Sequence, residues 1–244
     1  MTEQHSRVPM LSLVIPCYNE AKNLPLLLGR CAALTAQRDD IDVVLIDNGS
    51  RDETPAVLAE LLPRHRGCSS VRVDVNQGYG FGILSGLRAA KGRILAWTHA
   101  DMQTDPMDAL KGLEYFTSAA NPERIFAKGR RYGRPLADVA FTTGMSVFET
   151  ALLRHAMWDI NAQPTMFHRN FFATWSDPPH DFALDLFAYF TARKAGLEIK
   201  RFPVRFGERA HGVSHWNVNW SAKAKFIRRT MDYSFRLRRQ LSAS

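Results

Sequence analysis

The residues best equipped for chemistry stand in short polar segments that follow apolar runs. His99-Ala-Asp-Met-Gln103 sets an imidazole, a carboxylate and a carboxamide within five residues. Together these can hold a hard divalent cation and leave positions open for a ligand's oxygens, although a polar turn capped by Asp101 would use the same residues. Asp47-Asn-Gly-Ser50 offers a carboxylate able to accept two hydrogen bonds from an imide edge or a diol, in a turn where Gly49 suits a positive φ. Lys128-Gly-Arg-Arg131 carries guanidinium groups, whose planar fork matches phosphate oxygens in pairs; its alternative is a solvated basic turn. Asp181 and Asp185 lie one turn apart at the start of a helical pattern. Asp181 suits the N-cap, and Asp185 is a candidate general base.

The elements that must position these groups can be read from the apolar pattern. Leu11–Ile15 and Asp42–Ile46 are short β-rich runs that stop at Pro16 and at Asp47-Asn-Gly, and the leucines between them recur at helical spacing from Asn23 to Ala36. The alternation continues: a helix over 54–62, a strand over 70–75, a small-residue helix over 80–90 and a strand over 93–98. Such alternation predicts a doubly wound α/β fold, a Rossmann-like and mostly parallel central sheet with helices on both faces. In such sheets ligands bind beyond the carboxyl ends of the strands. The loops at 16–20, 47–52, 76–79 and 99–103 should therefore meet at one crevice. Farther on, the sequence predicts a helix over 141–156, a mixed segment over 166–172, a helix over 181–195 ended by Gly196, a strand over 198–206 and a polar loop over 208–219.

The chain has 244 residues, 45% of them apolar and 23% charged, the balance of one domain with a sizeable core. The opening residues do not form a signal peptide, and no run reaches the roughly 20 apolar residues of a spanning helix, so a cytoplasmic location is expected. Cys17, Cys31 and Cys68 have neither metal-ligand spacing nor an even count, which argues against a zinc site and a disulfide framework. A net charge of +8 calls for an anionic partner. No nucleic-acid-binding motif accompanies that charge, and Asp47 and Asp101 would repel phosphates unless a metal intervened, so nucleic acid is not expected.

Four motifs in order, Val14-Ile-Pro-Cys-Tyr-Asn-Glu20, Ile46-Asp-Asn-Gly-Ser-Arg-Asp52, Asn76-Gln-Gly78 before a glycine-containing helix, and His99-Ala-Asp101, resemble the family 2 glycosyltransferases of GT-A fold. The similarity covers about residues 11 to 215 and is nearest to the dolichyl-phosphate mannose synthase-like and polyprenyl-phosphate sugar transferase branch. It implies an inverting transferase that takes a sugar from a UDP- or GDP-linked donor, with a divalent metal, Mn2+ or Mg2+, and passes it to a polyprenyl or other lipid phosphate. A glycan or glycolipid hydroxyl is the alternative acceptor, and a catalytically weak sugar-nucleotide-binding subunit the alternative role.

By that resemblance Asp101 and Gln103 are metal ligands. His99 stands where the family usually has an aspartate; it would join the metal or bind the donor diphosphate. The donor would be surrounded by Pro16, Tyr18, Glu20, Asp47, Asn76, Gly78, His99, Ala100 and Asp101, with Arg209 and His215 from the loop over 204–215, which also holds Gly212 and Ser214. Arg130 would approach the acceptor phosphate, with Asn161 and Gln163 nearby, and Asp185 matches an acidic position of the family. Gln163, Pro164 and Thr165 depart from the usual Gly-Phe and basic residues, which implies a different head group or sugar.

The division expected is a transferase domain over 1–219 and a basic amphipathic helix over 220–244. In the latter Trp220, Ala224, Ile227, Met231 and Phe235 recur at helical spacing among lysines and arginines. Such a helix suits the interface of an anionic membrane, and equally suits docking on the domain with its charges in water.

Overall fold

Near-continuous apolar runs build the central strands, which bury both faces between helices, whereas the edge strands β3 and β7 leave much of their surface to solvent. The computed structural model describes residues 8–211 and 220–242. In order it contains β1 (Leu11–Cys17), α1 (Leu24–Gln37), β2 (Ile41–Asn48), α2 (Thr54–Leu61), β3 (Cys68–Val73), α3 (Tyr79–Ala89), β4 (Ile94–Trp97), α4 (Asp108–Thr117), β5 (Ile125–Tyr132), α5 (Leu136–Leu153), β6 (Thr165–His168), α6 (Arg169–Ala173), α7 (Ala183–Lys194), β7 (Glu198–Arg205) and α8 (Trp220–Ser242). The seven strands form one sheet in the order β3-β2-β1-β4-β6-β5-β7. All neighbouring pairs are parallel except those of β6, which runs antiparallel to β4 and β5.

The two faces hold separate cores. Leu13 and Ile15 of β1, Val43 and Leu45 of β2 and Ala96 of β4 face Leu24, Leu28 and Leu34 of α1 and Leu113 and Phe116 of α4. The alternate residues Val14, Ile46, Leu95, Trp97, Phe126 and Phe167 face Ile83, Leu84 and Leu87 of α3 and Leu184 and Tyr189 of α7. Close approach of α3 to the sheet requires Gly86, where a Cβ would lie 2.3 Å from Val14 Cγ1.

Several elements differ from the sequence reading. The segment over 166–172 divides into β6 and α6. The helix expected over 141–156 starts earlier, at Leu136, and ends at Leu153, where Arg154 turns left-handed with φ 55°. That helix, α5, is long and apolar enough to cross a membrane by length and composition, yet only 17% of it is buried. Leu136 and Val147 are 86% and 60% exposed. Helix α8 is docked: Ser234 and Leu237 are buried, and Ser234 Oγ donates to Glu149 Oε1 of α5 at 2.7 Å. Phe235 of its expected apolar stripe stays half-exposed. The side chains of Trp220, Ala224 and Ile227 lie outside the described residues.

Candidate active site

The crevice is built where parallel strands β2, β1 and β4 end side by side. The first loop is tied to the second through Asn19, whose amide donates to Ser50 Oγ at 3.1 Å and whose Oδ1 accepts from the Arg51 amide at 2.9 Å. The Glu20 amide donates to Thr54 Oγ1 at 2.8 Å. Asn23, at the N-cap of α1, makes no side-chain cap bond and instead donates its carboxamide to the Glu20 carboxylate. In the third loop Gly78 donates its amide to Asn76 Oδ1 at 2.8 Å and accepts from Asn48 Nδ2 at 3.0 Å. Asn76 and Gly78 thus shape the crevice wall, next to Gly49, which takes φ 71°.

Asp47 is buried and its carboxylate is engaged. Oδ1 accepts from the Ser50 amide at 3.0 Å, and Oδ2 pairs with Arg72 Nη1 at 2.8 Å. Arg72 stands opposite Asp47 in the β2–β3 register. It was not singled out from the sequence, because only strand pairing brings it there. A ligand group approaching Asp47 therefore meets a carboxylate already oriented by two donors, with an exposed guanidinium beside it. Pro16 is half-buried and Tyr18 is exposed at the end of β1.

Asp101 is the centre of the opposite wall. Its Oδ1 accepts from the Gln103 amide at 3.1 Å, and its Oδ2 lies 3.0 Å from Arg209 Nη2. The segment that carries Arg209 is strapped over the β4–α4 loop: Gly207 donates its amide to the Gln103 carbonyl at 2.8 Å, and Gln103 Nε2 donates to the Gly207 carbonyl at 3.2 Å. Ala100 is buried beside Asp101. Glu20 lies within electrostatic reach of both Asp101 and Arg209. Burial and the like charge of Asp101 raise its pKa, against the opposing effects of Asn23 and Arg209. Gly212, Ser214 and His215 lie outside the described residues.

His99 faces the other side of the crevice, its ring stacked 5.6 Å from Tyr79, which in turn stacks 4.6 Å from Phe182. Burial lowers the His99 pKa against the pull of Asp101 and Asp185, with Arg131 and Arg209 assisting, so the imidazole is neutral. A neutral imidazole has a lone pair for a metal ion. The donors therefore fit a divalent cation in part: Asp101 supplies a carboxylate and His99 an imidazole, whereas the Gln103 carboxamide is turned to Gly207. Among the described residues no three His, Cys, Asp or Glu side chains cluster.

Beneath the crevice lies a polar group that the sequence did not reveal. Lys128 is fully buried; its Nζ donates to Thr165 Oγ1 at 2.6 Å and lies 3.7 Å from Asp185 Oδ1. The same Oδ1 accepts from Gln163 Nε2 at 2.6 Å. Burial lowers the Lys128 pKa to about 7 despite the nearby Asp185 carboxylate. Gln163, expected to touch an acceptor, is instead buried with its amide given to Asp185. Asp185, expected to face an acceptor hydroxyl, is enclosed by Gln163 and Lys128. Asp181, expected at the N-cap of α7, stands one residue before the N-cap Phe182, and its Oδ1 accepts from the Ala183 amide at 3.0 Å.

Arg130 follows Lys128 by two residues, on the same side of β5 by the pleat, and is exposed. Arg131 is the anchored one. Its guanidinium Nε donates to Asp159 Oδ1 at 2.9 Å and its amide to Asp159 Oδ2 at 3.0 Å. Burial would raise the Asp159 carboxyl, but Arg131 and Arg134 hold it below its ordinary value. Asn161, exposed two residues on, shares a cavity wall with Arg131.

Comparison with known proteins bears on the family and the fold. The chain is 37% identical over 161 residues to an undecaprenyl-phosphate 4-deoxy-4-formamido-L-arabinose transferase of Pseudomonas paraeruginosa, covering 61% of this chain and 47% of that protein. A protein of the same description from Pseudomonas aeruginosa is 30% identical over 161 residues, again with 61% and 47% covered. The chain thus spans about half the length of the curated relatives it matches.

Among solved structures, glucosyl-3-phosphoglycerate synthase from Mycobacterium tuberculosis, in complex with Mn2+, UDP and glucosyl-3-phosphoglycerate, superposes with a TM-score of 0.68 at 16% identity, over 94% of this chain and 80% of that one. A mannosyltransferase from Pyrobaculum calidifontis in complex with GDP-Man and Mn2+ gives 0.64 at 20% identity, over 91% and 65%. These establish the GT-A fold. The family model described as Glycosyl transferase family 2 matches residues 12–173. The chain is a member of glycosyl transferase family 2.

Proposed function

We propose that this protein is an inverting glycosyltransferase that moves a sugar from a nucleoside-diphosphate donor to a polyprenyl phosphate. The observation that carries the reading is the Asp101–Arg209 pair, held 3.0 Å apart where the strand-end loops and the 206–211 segment meet. On this reading the nucleoside lies along Pro16, Tyr18, Glu20 and Asp47, and its diphosphate reaches Asp101, His99 and Arg209. A divalent cation there would be held by Asp101 and His99, and would neutralise charge on the leaving diphosphate. Arg209 supplies a second, fixed positive charge from the protein itself.

A phosphate monoester has a second pKa of about 6, so at neutral pH its oxygen is already an ionised nucleophile. The enclosed Asp185 is consistent with that chemistry, which needs no protein base. Arg130 and Arg131 at the end of β5 would hold the acceptor phosphate, and the undecaprenyl-phosphate transferases among its relatives support a lipid acceptor. The exposed apolar face of α5 and the adjacent arginines of α8 would rest on the cytoplasmic face of an anionic membrane.

Incubation with radiolabelled UDP- or GDP-sugars, Mn2+ and undecaprenyl phosphate should produce labelled lipid, and Asp101→Ala should abolish it. Binding of nucleoside diphosphates without labelled lipid from any such donor would overturn the assignment of the acceptor.

A further inference from the structure

Gly78-Tyr-Gly-Phe81 opens α3 with two glycines, and their surroundings give the reason. A Cβ at Gly78 would lie 2.4 Å from the His180 carbonyl oxygen, and one at Gly80 would lie 2.5 Å from that of Pro179. Only glycine lets two backbones approach this closely. The segment before α7 therefore crosses directly over the start of α3, where the Phe81 amide donates to the His180 carbonyl at 3.0 Å.

That crossing delivers Phe182, the N-cap of α7, onto Tyr79, with ring centroids 4.6 Å apart and planes inclined by 13°. Tyr79 in turn lies on His99, 5.6 Å away at 25°. Three rings thus form one stack from α7 through α3 to the loop after β4. The start of α7 is also tied to the sheet, because Asp185 in its first turn accepts from Gln163 and lies 3.7 Å from the buried Lys128 ammonium of β5.

A histidine that binds a metal ion usually donates its other ring N–H to a carboxylate, a carbonyl or a water, and that bond fixes the orientation of the ring. Among the described residues the His99 imidazole takes part in no hydrogen bond, and its ring is held by its face. A ring held in this way keeps both nitrogens on an edge that a ligand can reach. The aspartate usual at this position in the family would need no flat support, whereas an imidazole does.

We propose that Phe182 and Tyr79 are positioning residues that orient the His99 imidazole for a divalent cation and its diphosphate. The inference rests on the reading of Asp101 and His99 as the protein's donors to that cation and deepens it, because it makes cation affinity depend on an aromatic ring of α7 that is not itself a ligand.

Calorimetry of UDP and GDP binding, with Mn2+ varied and no sugar present, tests it. Phe182 is 46% exposed, so Phe182→Ala should leave the melting temperature nearly unchanged. The same substitution should raise the Mn2+ concentration for half-maximal nucleotide binding by about tenfold or more, the scale for losing a group that orients a metal-binding histidine. Phe182→Leu, apolar but without a flat face, should show the same loss, and Phe182→Tyr should restore the wild-type dependence. Nucleotide binding without metal should be the same in all of them. In a His99→Ala background Phe182→Ala should add nothing, since the ring it orients is gone.

Wild-type Mn2+ dependence in folded Phe182→Ala, or an equal further loss in the His99→Ala background, overturns the proposal. The readings fail separately. An Mn2+ effect that needs Asp101 and His99 but is indifferent to Phe182 sinks the stack and leaves the cation site, whereas a Phe182-dependent Mn2+ effect without sugar transfer sinks the reaction and leaves the stack. Wild-type nucleotide binding indifferent to Mn2+ overturns both the stack and the cation site.

Discussion

Arg209 and Asp101 are joined carboxylate to guanidinium at 3.0 Å, although one closes the loop after β4 and the other belongs to the segment that follows β7. The pair brings a positive charge supplied by the protein to the site where a diphosphate would gain negative charge. It also fixes the distant segment over the crevice, assisted by the two Gln103–Gly207 bonds.

Arg209→Ala should therefore lower kcat for sugar transfer by about 10²-fold, the scale for removing one preorganised charge from a transition state. Asp101→Asn should do the same or more, and should also abolish the extra thermal shift that Mn2+ adds to UDP or GDP. Stopped-flow or quench measurements of transfer, with thermal shift on the same samples, check both. A variant of Asp101 that keeps its Mn2+-dependent shift would remove the carboxylate from cation binding.

Asp185 allows a split between chemistry and structure. Its Oδ1 receives Gln163 Nε2 at 2.6 Å and lies 3.7 Å from Lys128 Nζ, all of them buried. Asp185→Asn should destabilise the fold by about 1–3 kcal/mol, the usual scale for a disrupted buried polar contact, because Lys128 loses its countercharge. With a phosphate acceptor the folded variant should retain turnover within a few-fold, since no base is needed. Chemical denaturation and transfer rates on one preparation decide this, and a loss of 10³-fold in kcat with unchanged KM would make Asp185 the base after all.

Glu149 gives a pH prediction of definite sign. Its folded pKa is raised from 4.5 to about 7 by burial, against the Ser234 hydrogen bond, so the folded state holds the proton more tightly than the unfolded chain. Its contribution to stability is greatest below pH 4.5 and is lost as the pH rises from there to about 7. At about 1.36 kcal/mol per pKa unit, the full loss is of order 3 kcal/mol. Glu149→Gln keeps an acceptor for Ser234 and cannot ionise, so the variant should be more stable than wild type at pH 8 and should show a flatter profile between pH 5 and 7. Urea midpoints measured across that range test it.

How much of this was legible in the sequence depends on how local each signal was. Strands β1, β2 and β4 announce themselves as apolar runs stopped by Pro16, by Asp47-Asn-Gly and by Thr98-His99, and the parallel order follows from the helices between them. Helix α4 also carried its signal, with Ala109, Leu113 and Phe116 on one face, but the polar residues Asp108, Lys111 and Glu114 between them masked it. Lys128 could not be read correctly. A lysine at the end of an apolar run looks like the start of a basic loop, and only the arrival of Asp185 on α7 and Thr165 on β6 makes its burial tolerable. Arg72 is the same case on the sheet's other side, since its partner Asp47 is chosen by strand register.

The surface proposed above to meet a membrane is shared by α5 and α8 rather than carried by α8 alone. Helix α8 docks through Ser234 and Leu237, which lie outside the expected apolar stripe; of that stripe Met231 is half-buried and Phe235 exposed. Helix α5 instead exposes Leu136, Val139, Phe141 and Val147, and α8 beside it exposes Arg228, Arg229 and Arg236. Apolar insertion and cation attraction would thus come from two neighbouring helices, each arginine near an anionic surface being worth about 1 kcal/mol. Leu136→Asp with Val147→Asp should reduce co-sedimentation with vesicles of one-third phosphatidylglycerol by at least tenfold. Both residues are largely in solvent, so the melting temperature should move little. Arg228→Gln with Arg229→Gln should weaken binding mainly at low salt, because counterions screen that part of the attraction over about 10 Å at 0.1 M. Vesicle binding that survives both pairs of substitutions would place the contact elsewhere on the protein.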